Sequence, residues 1–153
     1  MTRTFSKAYA LAGLRIGYLV GPPDLIALLA RVRNAFDVNG LAQAAAAASL
    51  ADGDGHLARR VAEVTAERGL VDASLRTLGF VPLPSDGNFL LIGAGSAERA
   101  ARLNQALLAR GIIVRPTGPF GAPDALRITI GRPDENAEFL VAMAGVLQEL
   151  GAS

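Results

Sequence analysis

The chain has 153 residues and 51% of them are hydrophobic, so it can build a real core without metals or disulfides. The 15 basic and 14 acidic residues give a net charge of +1 and are scattered along the chain, which argues against nucleic acid as a partner. Cysteine is absent and His56 is the single histidine, which excludes thiolate catalysis and zinc sites of cysteine or clustered histidine, and agrees with a reducing cytoplasm.

The sequence shows no pattern typical of an export signal or a membrane span. Residues 1–4 run into charged, glycine-punctuated sequence without a continuous apolar stretch. The longest apolar run, residues 41–51, is dominated by alanine and is too short to cross a bilayer. We interpret this run as a buried helix and expect no membrane partner.

The first half of the chain predicts one strand followed by helices. Residues 14–20 are rich in β-forming types and end at a Gly-Pro-Pro turn, which indicates a strand. Pro23 suits the first turn of a helix, and Asn39 can cap the alanine-rich helix that follows. Apolar positions at helical spacing over 57–78 predict a third helix that ends at Gly79. We interpret the last two helices as a long connector.

The second half predicts short strands separated by helices. Residues 88–92 and 112–115 are β-like and flank an amphipathic helix over 97–110, which Gly111 ends. A last helix begins at Pro133.

Between these helices, segment 126–130 alternates three aliphatic residues with Arg127 and Thr129. A strand here places Arg127 and Thr129 on the face opposite the aliphatic side chains, where they are free to meet a ligand. We therefore predict an α/β fold whose second half is a compact β-α-β-β-α unit.

One long motif lies at the start of the chain. Residues 3–18, RTFSKAYALAGLRIGY, closely resemble the lysine segment of fold-type I aminotransferases, and within them the histidinol-phosphate aminotransferase group. A Ser-Lys pair with a downstream arginine is common on protein surfaces, so the length of the match carries the resemblance. It implies that Lys7 binds pyridoxal phosphate covalently through its amine, while Ser6 and Arg15 bind the cofactor phosphate. The fork of a guanidinium suits phosphate oxygens.

Further segments resemble the same family in the expected order. Residues 85–92, SDGNFLLI, resemble the Ser-x-x-Asn-Phe strand of the small domain. Residues 126–131, LRITIG, resemble the segment whose arginine binds the substrate α-carboxylate, which implies that role for Arg127; the alternative is a surface charge. The segment GIIVRP resembles the family around an arginine that helps bind the substrate phosphate, so Arg115 is the candidate; the alternative is a strand-end charge.

The remaining polar and aromatic candidates have weaker signals. Asn88 could orient substrate or secure its strand through side-chain hydrogen bonds, and we favour the structural role slightly. Tyr9 and Tyr18 are interpreted as packing groups, and His56 as a surface histidine.

The resemblance implies the C-terminal portion of a fold-type I pyridoxal-phosphate-dependent transferase. Residues 1–53 would end the cofactor-binding large domain with a connector helix, and residues 54–153 would form the small domain with its long linking helix. Complete members are homodimers that act on amino acids and 2-oxo acids. The implied reaction is the reversible conversion of histidinol phosphate and 2-oxoglutarate to imidazole-acetol phosphate and glutamate.

Complete members also carry an N-terminal half with an aspartate that pairs with the pyridine nitrogen of the cofactor. No acidic residue precedes Lys7, so we predict that the isolated 153-residue chain is weakly active or inactive, as a truncated product or one piece of a larger enzyme. Aromatic amino acid aminotransferases and threonine-phosphate decarboxylase-like enzymes share much of the pattern. A non-catalytic remnant or small binding domain is the alternative of another class.

Overall fold

The computed structural model describes residues 1–51 and 55–151. The chain forms two compact units, residues 1–61 and 62–153. The predicted domain boundary between residues 53 and 54 lies outside the described residues. The first unit contains strands β1 (Thr2–Thr4) and β2 (Gly17–Leu19), helices α1 (Pro23–Val32) and α2 (Gly40–Leu50), and the start of α3 (His56–Thr77). The second contains β3 (Phe89–Gly93), α4 (Ala97–Leu108), β4 (Arg115–Pro116), β5 (Ala125–Thr129) and α5 (Pro133–Gly151).

The first unit begins with a hairpin, in which β1 pairs antiparallel with β2. Gly17 lies opposite Thr4, and a Cβ on it would meet the Arg3 carbonyl oxygen at 2.7 Å, so this position requires glycine. The strand was predicted over residues 14–20, but β2 begins only at Gly17. It starts later than predicted because Arg15 adopts a left-handed conformation with φ of 52°. Its partner strand β1 was not predicted.

Helices α1 and α2 begin where the sequence predicts. Pro23 opens α1, and the Asn39 side chain caps α2 by accepting a hydrogen bond of 2.8 Å from the Ala42 N–H. The expectation that α2 is buried is wrong, since only Ala42 and Ala46 are buried and Leu41 is 79% exposed. Alanine has the highest helix propensity but little apolar surface, so an alanine run predicts a helix better than it predicts burial.

The second unit has the predicted β-α-β-β-α order. Its three-stranded antiparallel sheet has the order β3-β5-β4. The predicted alternation in β5 is confirmed, because Leu126 and Ile128 are buried while Arg127 between them is only half-buried. Side chains from the sheet, α4, α5 and the end of α3 form one hydrophobic core, whose fully buried large members include Leu75, Leu90, Ile92, Leu103, Leu107, Leu126 and Met143.

The second predicted strand of this unit is displaced along the chain. It was expected over residues 112–115, whereas β4 consists of Arg115 and Pro116. Gly111, with φ of 78°, ends α4. The Ile112 N–H then donates a hydrogen bond of 3.0 Å to the Leu107 carbonyl, which caps the helix. The residues after Gly111 therefore complete the helix cap before the chain can pair with β5. In the described ranges, no helix is long and apolar enough to cross a membrane.

Candidate functional site

Ser6, Lys7 and Arg15 lie on the loop of the β1–β2 hairpin. The Phe5 N–H donates to the Ile16 carbonyl at 3.1 Å and closes the base of this loop. Ser6 and Lys7 follow this closure and Arg15 precedes it. The three residues predicted for the cofactor thus lie on one closed loop, in what we call the lysine hairpin, residues 2–19.

An aromatic cluster anchors the loop. Phe5 is 3% exposed, and its ring centroid lies 4.8 Å from that of Tyr9 and 5.8 Å from that of Tyr18. Both tyrosine contacts are tilted, a favourable arrangement for aromatic pairs. The two tyrosines therefore pack as predicted.

The polar groups of the loop are available to a ligand. Lys7 is exposed and Ser6 is half-buried. Within residues 1–51 and 55–151, neither the Lys7 amine nor the Ser6 hydroxyl has a hydrogen-bond partner, while Arg15 Nη1 donates to the Ala12 carbonyl at 2.8 Å. The remaining N–H groups of Arg15 can still donate. A hydroxyl, a primary amine and a guanidinium together suit a ligand with a phosphate and a reactive carbonyl.

The backbone of the loop is strained at two positions. Arg15 has φ of 52° and Ala10 has φ of 59°, a region that side chains with a Cβ rarely adopt. Such residues cost about 1–3 kcal/mol each and cluster at ligand-binding sites.

Residues from α2 and α3 line a cavity of about 370 Å³ with the loop of the lysine hairpin. The Arg60 guanidinium donates to the Ala8 carbonyl at 3.4 Å and so contacts the residue after Lys7. His56 is exposed at the start of α3, as predicted, and its Nδ1 lies 2.8 Å from a guanidinium nitrogen of Arg59.

In the second unit, the predicted substrate arginines share one face of the sheet. Arg115 on β4 and Arg127 on β5 are direct cross-strand partners. Because opposed residues of an antiparallel pair project to the same side, both guanidinium groups lie on the face opposite the core. We call this surface the arginine face; it also carries Phe89, Leu91 and Thr129.

Arg127 has a buried donor that the described protein leaves unsatisfied. Its Nε is shielded from solvent and, in the described part of the chain, has no hydrogen-bond partner. A buried donor left unsatisfied costs about 1–3 kcal/mol. A ligand that accepts this hydrogen bond would recover that cost, and a carboxylate or phosphate oxygen is a suitable acceptor.

Asn88 lies beside the arginine face, but its side chain does not secure the strand. Its backbone carbonyl accepts from the Ile130 N–H at 2.9 Å, whereas its exposed side chain makes no hydrogen bond within the described ranges. The strand entrance is held instead by Ser85, whose hydroxyl donates to the Phe89 carbonyl at 2.7 Å and accepts from the Gly87 N–H at 3.1 Å. Among the residues it describes, the structure therefore shows no side-chain hydrogen bond by which Asn88 would secure its strand.

A polar clamp next to β5, formed by Asn136 and Glu67, was not predicted. Asn136 is 6% exposed, accepts from the Gly131 N–H at 2.9 Å and donates to the Glu67 carboxylate at 2.7 Å. The clamp fixes the turn directly after the strand that carries Arg127. Because Glu67 and Asn136 are far apart in sequence, no local pattern could have identified their contact.

Comparisons with known proteins find a matching family model and similar relatives. The family model for aminotransferase class I and II matches residues 1–143. Histidinol-phosphate aminotransferase 2 of Ralstonia nicotianae is 49% identical, with 100% of this chain and 41% of the relative covered. Histidinol-phosphate aminotransferase 1 of Cupriavidus pinatubonensis is 51% identical, with coverages of 97% and 39%. The chain therefore spans about two fifths of the length of these curated relatives.

A solved structure extends the similarity to the fold. Histidinol-phosphate aminotransferase from Sinorhizobium meliloti, in complex with pyridoxal-5'-phosphate, superposes with a TM-score of 0.88 at 32% identity. The superposition covers 97% of this chain and 41% of that chain.

Proposed function

Because the chain belongs to the aminotransferase class I and II family, we propose that it supplies the cofactor lysine and the substrate arginines of a pyridoxal-phosphate-dependent aminotransferase. The observation that carries this proposal is the closed loop of the lysine hairpin, which groups Ser6, Lys7 and Arg15. These three side chains offer the donor set that a phosphorylated aldehyde requires.

Each candidate residue has its own proposed role. Lys7 would hold the cofactor covalently, and Ser6 and Arg15 would bind its phosphate. The cofactor, when bound, acts as an electron sink for the substrate Cα. The Lys7 amine would accept the proton that leaves the substrate Cα. Arg127 would bind the α-carboxylate of the glutamate or 2-oxoglutarate substrate as a planar donor.

We propose histidinol phosphate and 2-oxoglutarate as the substrates, with imidazole-acetol phosphate and glutamate as the products. Two relatives at 49% and 51% identity carry the name histidinol-phosphate aminotransferase, which supports this choice. Arg115 would bind the substrate phosphate, and Asn88 would contact the substrate. A homodimer in the cytoplasm is part of the same proposal and rests on the family resemblance.

Cofactor capture tests the proposal directly. The chain is mixed with pyridoxal phosphate, the visible band of the lysine adduct is recorded, and the adduct is reduced with borohydride and mapped by peptide mass spectrometry. Lys7 is the only lysine in the sequence, so the competing primary amine is the N-terminus. The N-terminal amine donates a hydrogen bond of 2.8 Å to the carbonyl of Val20, the residue after β2.

We expect the label on Lys7, with loss of both band and label in Lys7→Ala. Label on Met1 alone, or no label in a folded chain, would contradict cofactor binding and favour the non-catalytic remnant. Replacement of Arg15 by Gln tests phosphate binding, because it removes the guanidinium fork without adding a second lysine to the capture assay.

A further inference from the structure

Each arginine of the arginine face lies over a phenylalanine ring. The guanidinium carbon of Arg127 is 5.4 Å from the ring centroid of Phe89, and that of Arg115 is 5.5 Å from the ring centroid of Phe120. Both distances are within the range of a cation–π contact. Phe89 belongs to β3 and Phe120 to a 3-10 helix after β4, yet each ring contacts one of the two arginines.

The sheet register accounts for the first contact. Phe89 pairs with Thr129 and Leu91 pairs with Arg127, so Phe89 is the diagonal neighbour of Arg127 on the same face. Diagonal neighbours across antiparallel strands are within reach of aromatic and long side chains. Phe120 reaches Arg115 differently, from the end of the 3-10 helix Gly118–Phe120.

The two positive charges oppose each other across the strands. Arg115 and Arg127 are direct partners, an arrangement in which like charges are destabilising. Neither forms an ion pair with an acidic residue in the ranges 1–51 and 55–151. The aromatic faces supply the attraction that holds each guanidinium in place, while the N–H edges stay free to donate.

We propose that Phe89 and Phe120 are positioning residues that hold both guanidinium groups for one dianionic ligand. This inference rests on the proposed function of Arg127 and Arg115 and adds the groups that align them. The shared ligand chemistry is a phosphate or a dicarboxylate, because either can neutralise both cations at once. A monoanion can neutralise only one of them, so the arginine face selects for the second charge.

Anion titrations of the full chain followed by NMR test this inference. The Nε–H signals of the arginines are recorded while inorganic phosphate, 2-oxoglutarate or acetate is added separately. Phe89→Leu and Phe120→Leu remove the aromatic face, and Phe89→Tyr and Phe120→Tyr keep it. Phe36→Leu is the matched control, because Phe36 is 98% exposed and belongs to the first unit.

Each leucine variant should weaken phosphate and 2-oxoglutarate binding roughly two- to fivefold, the equivalent of one exposed cation–π contact. Acetate affinity should change less, and the tyrosine and Phe36→Leu variants should bind as the wild type does. Phe89→Leu should also remove the ring-current shift of the Arg127 Nε–H signal. Phe89 is 38% and Phe120 is 67% exposed, so leucine is accommodated at both positions.

The contrary outcomes separate this inference from the proposed function. Wild-type dianion affinity in both leucine variants, with loss of affinity in Arg115→Gln and Arg127→Gln, would overturn the role of the phenylalanines and leave that of the arginines. Unchanged affinity in the arginine variants would overturn both. Equal losses for acetate and phosphate would overturn the selection for a dianion. Cofactor capture at Lys7 is measured independently of all three.

Discussion

The Phe5 N–H donates to the Ile16 carbonyl at 3.1 Å, which closes the loop that carries Lys7. This bond sits just beyond the last pair of the hairpin, Thr4 and Gly17. The orientation of the lysine loop therefore depends on how closely the two short strands approach.

Gly17→Ala should disrupt this approach, because a Cβ would meet the Arg3 carbonyl oxygen at 2.7 Å. We expect destabilisation of about 1–3 kcal/mol from overpacking. Faster hydrogen exchange at the Phe5 amide and a lower yield of cofactor captured on Lys7 would show it. Gly13→Ala is the control, since a Cβ at Gly13 has nothing within 4 Å. Equal exchange in the two variants would refute the steric explanation.

Arg15→Gly should have opposite effects on the loop and on its ligand. Glycine relieves the left-handed conformation, whose cost is about 1–2 kcal/mol, and the loss of the guanidinium should weaken pyridoxal phosphate binding at least about tenfold. Hydrogen exchange at Leu14 and absorbance titration measure the two effects. Ala10→Gly relieves comparable strain without removing a donor, so it should leave affinity unchanged; a matching loss of affinity there would argue against phosphate binding by Arg15.

Asn136→Ala should destabilise the second unit by about 1–3 kcal/mol, because it leaves the Gly131 N–H and the Glu67 carboxylate without this partner. Urea unfolding measures the change. Asn104→Ala is the control: Asn104 is a half-buried asparagine of α4 with no hydrogen bond from its side chain in the described ranges. If both variants unfold at the same urea concentration, Asn136 does not act as a clamp.

Asp134 should make the stability of α5 depend on pH in the acid range. The pKa of the Asp134 carboxyl lies below its ordinary value of 3.8, because Arg132 donates hydrogen bonds to it and because the positive charge of Arg132 favours the carboxylate. The folded pKa is the lower one, so the stabilisation is present above pH 3.8 and disappears as the pH falls through the folded value.

Asp134→Asn should thus lower the free energy of unfolding at pH 7 by a small amount that shrinks in acid, as an exposed ion pair contributes little. A double-mutant cycle with Arg132→Gln isolates the interaction. A coupling that stays constant from pH 7 into acid would contradict the assignment to this pair.

The helices of the chain could be predicted because their signals are local. Pro23, Asn39 and Gly79 mark ends that the structure places within a residue or two, and the alternation around Arg127 identified its face. Strand β1 escaped prediction because a three-residue strand has no period of its own and forms only through pairing with β2.

The sequence motif likewise identified the candidate residues but not their neighbours. Ser6, Lys7 and Arg15 belong to one short segment, so their grouping followed from chain connectivity. The stacking of Arg127 on Phe89 depends on the register of β3 against β5, which pairing across many residues determines. The same holds for the Asn136 clamp.

A chimeric enzyme tests whether Lys7 is the cofactor lysine of a functional aminotransferase. Residues 1–153 would replace the matched segment of a curated histidinol-phosphate aminotransferase, and transamination of histidinol phosphate with 2-oxoglutarate would be assayed with Lys7 intact or replaced by Ala. We expect an active chimera whose activity is abolished by Lys7→Ala, with borohydride label on Lys7 in the active form. A folded, active chimera that keeps its full rate after Lys7→Ala would contradict this expectation.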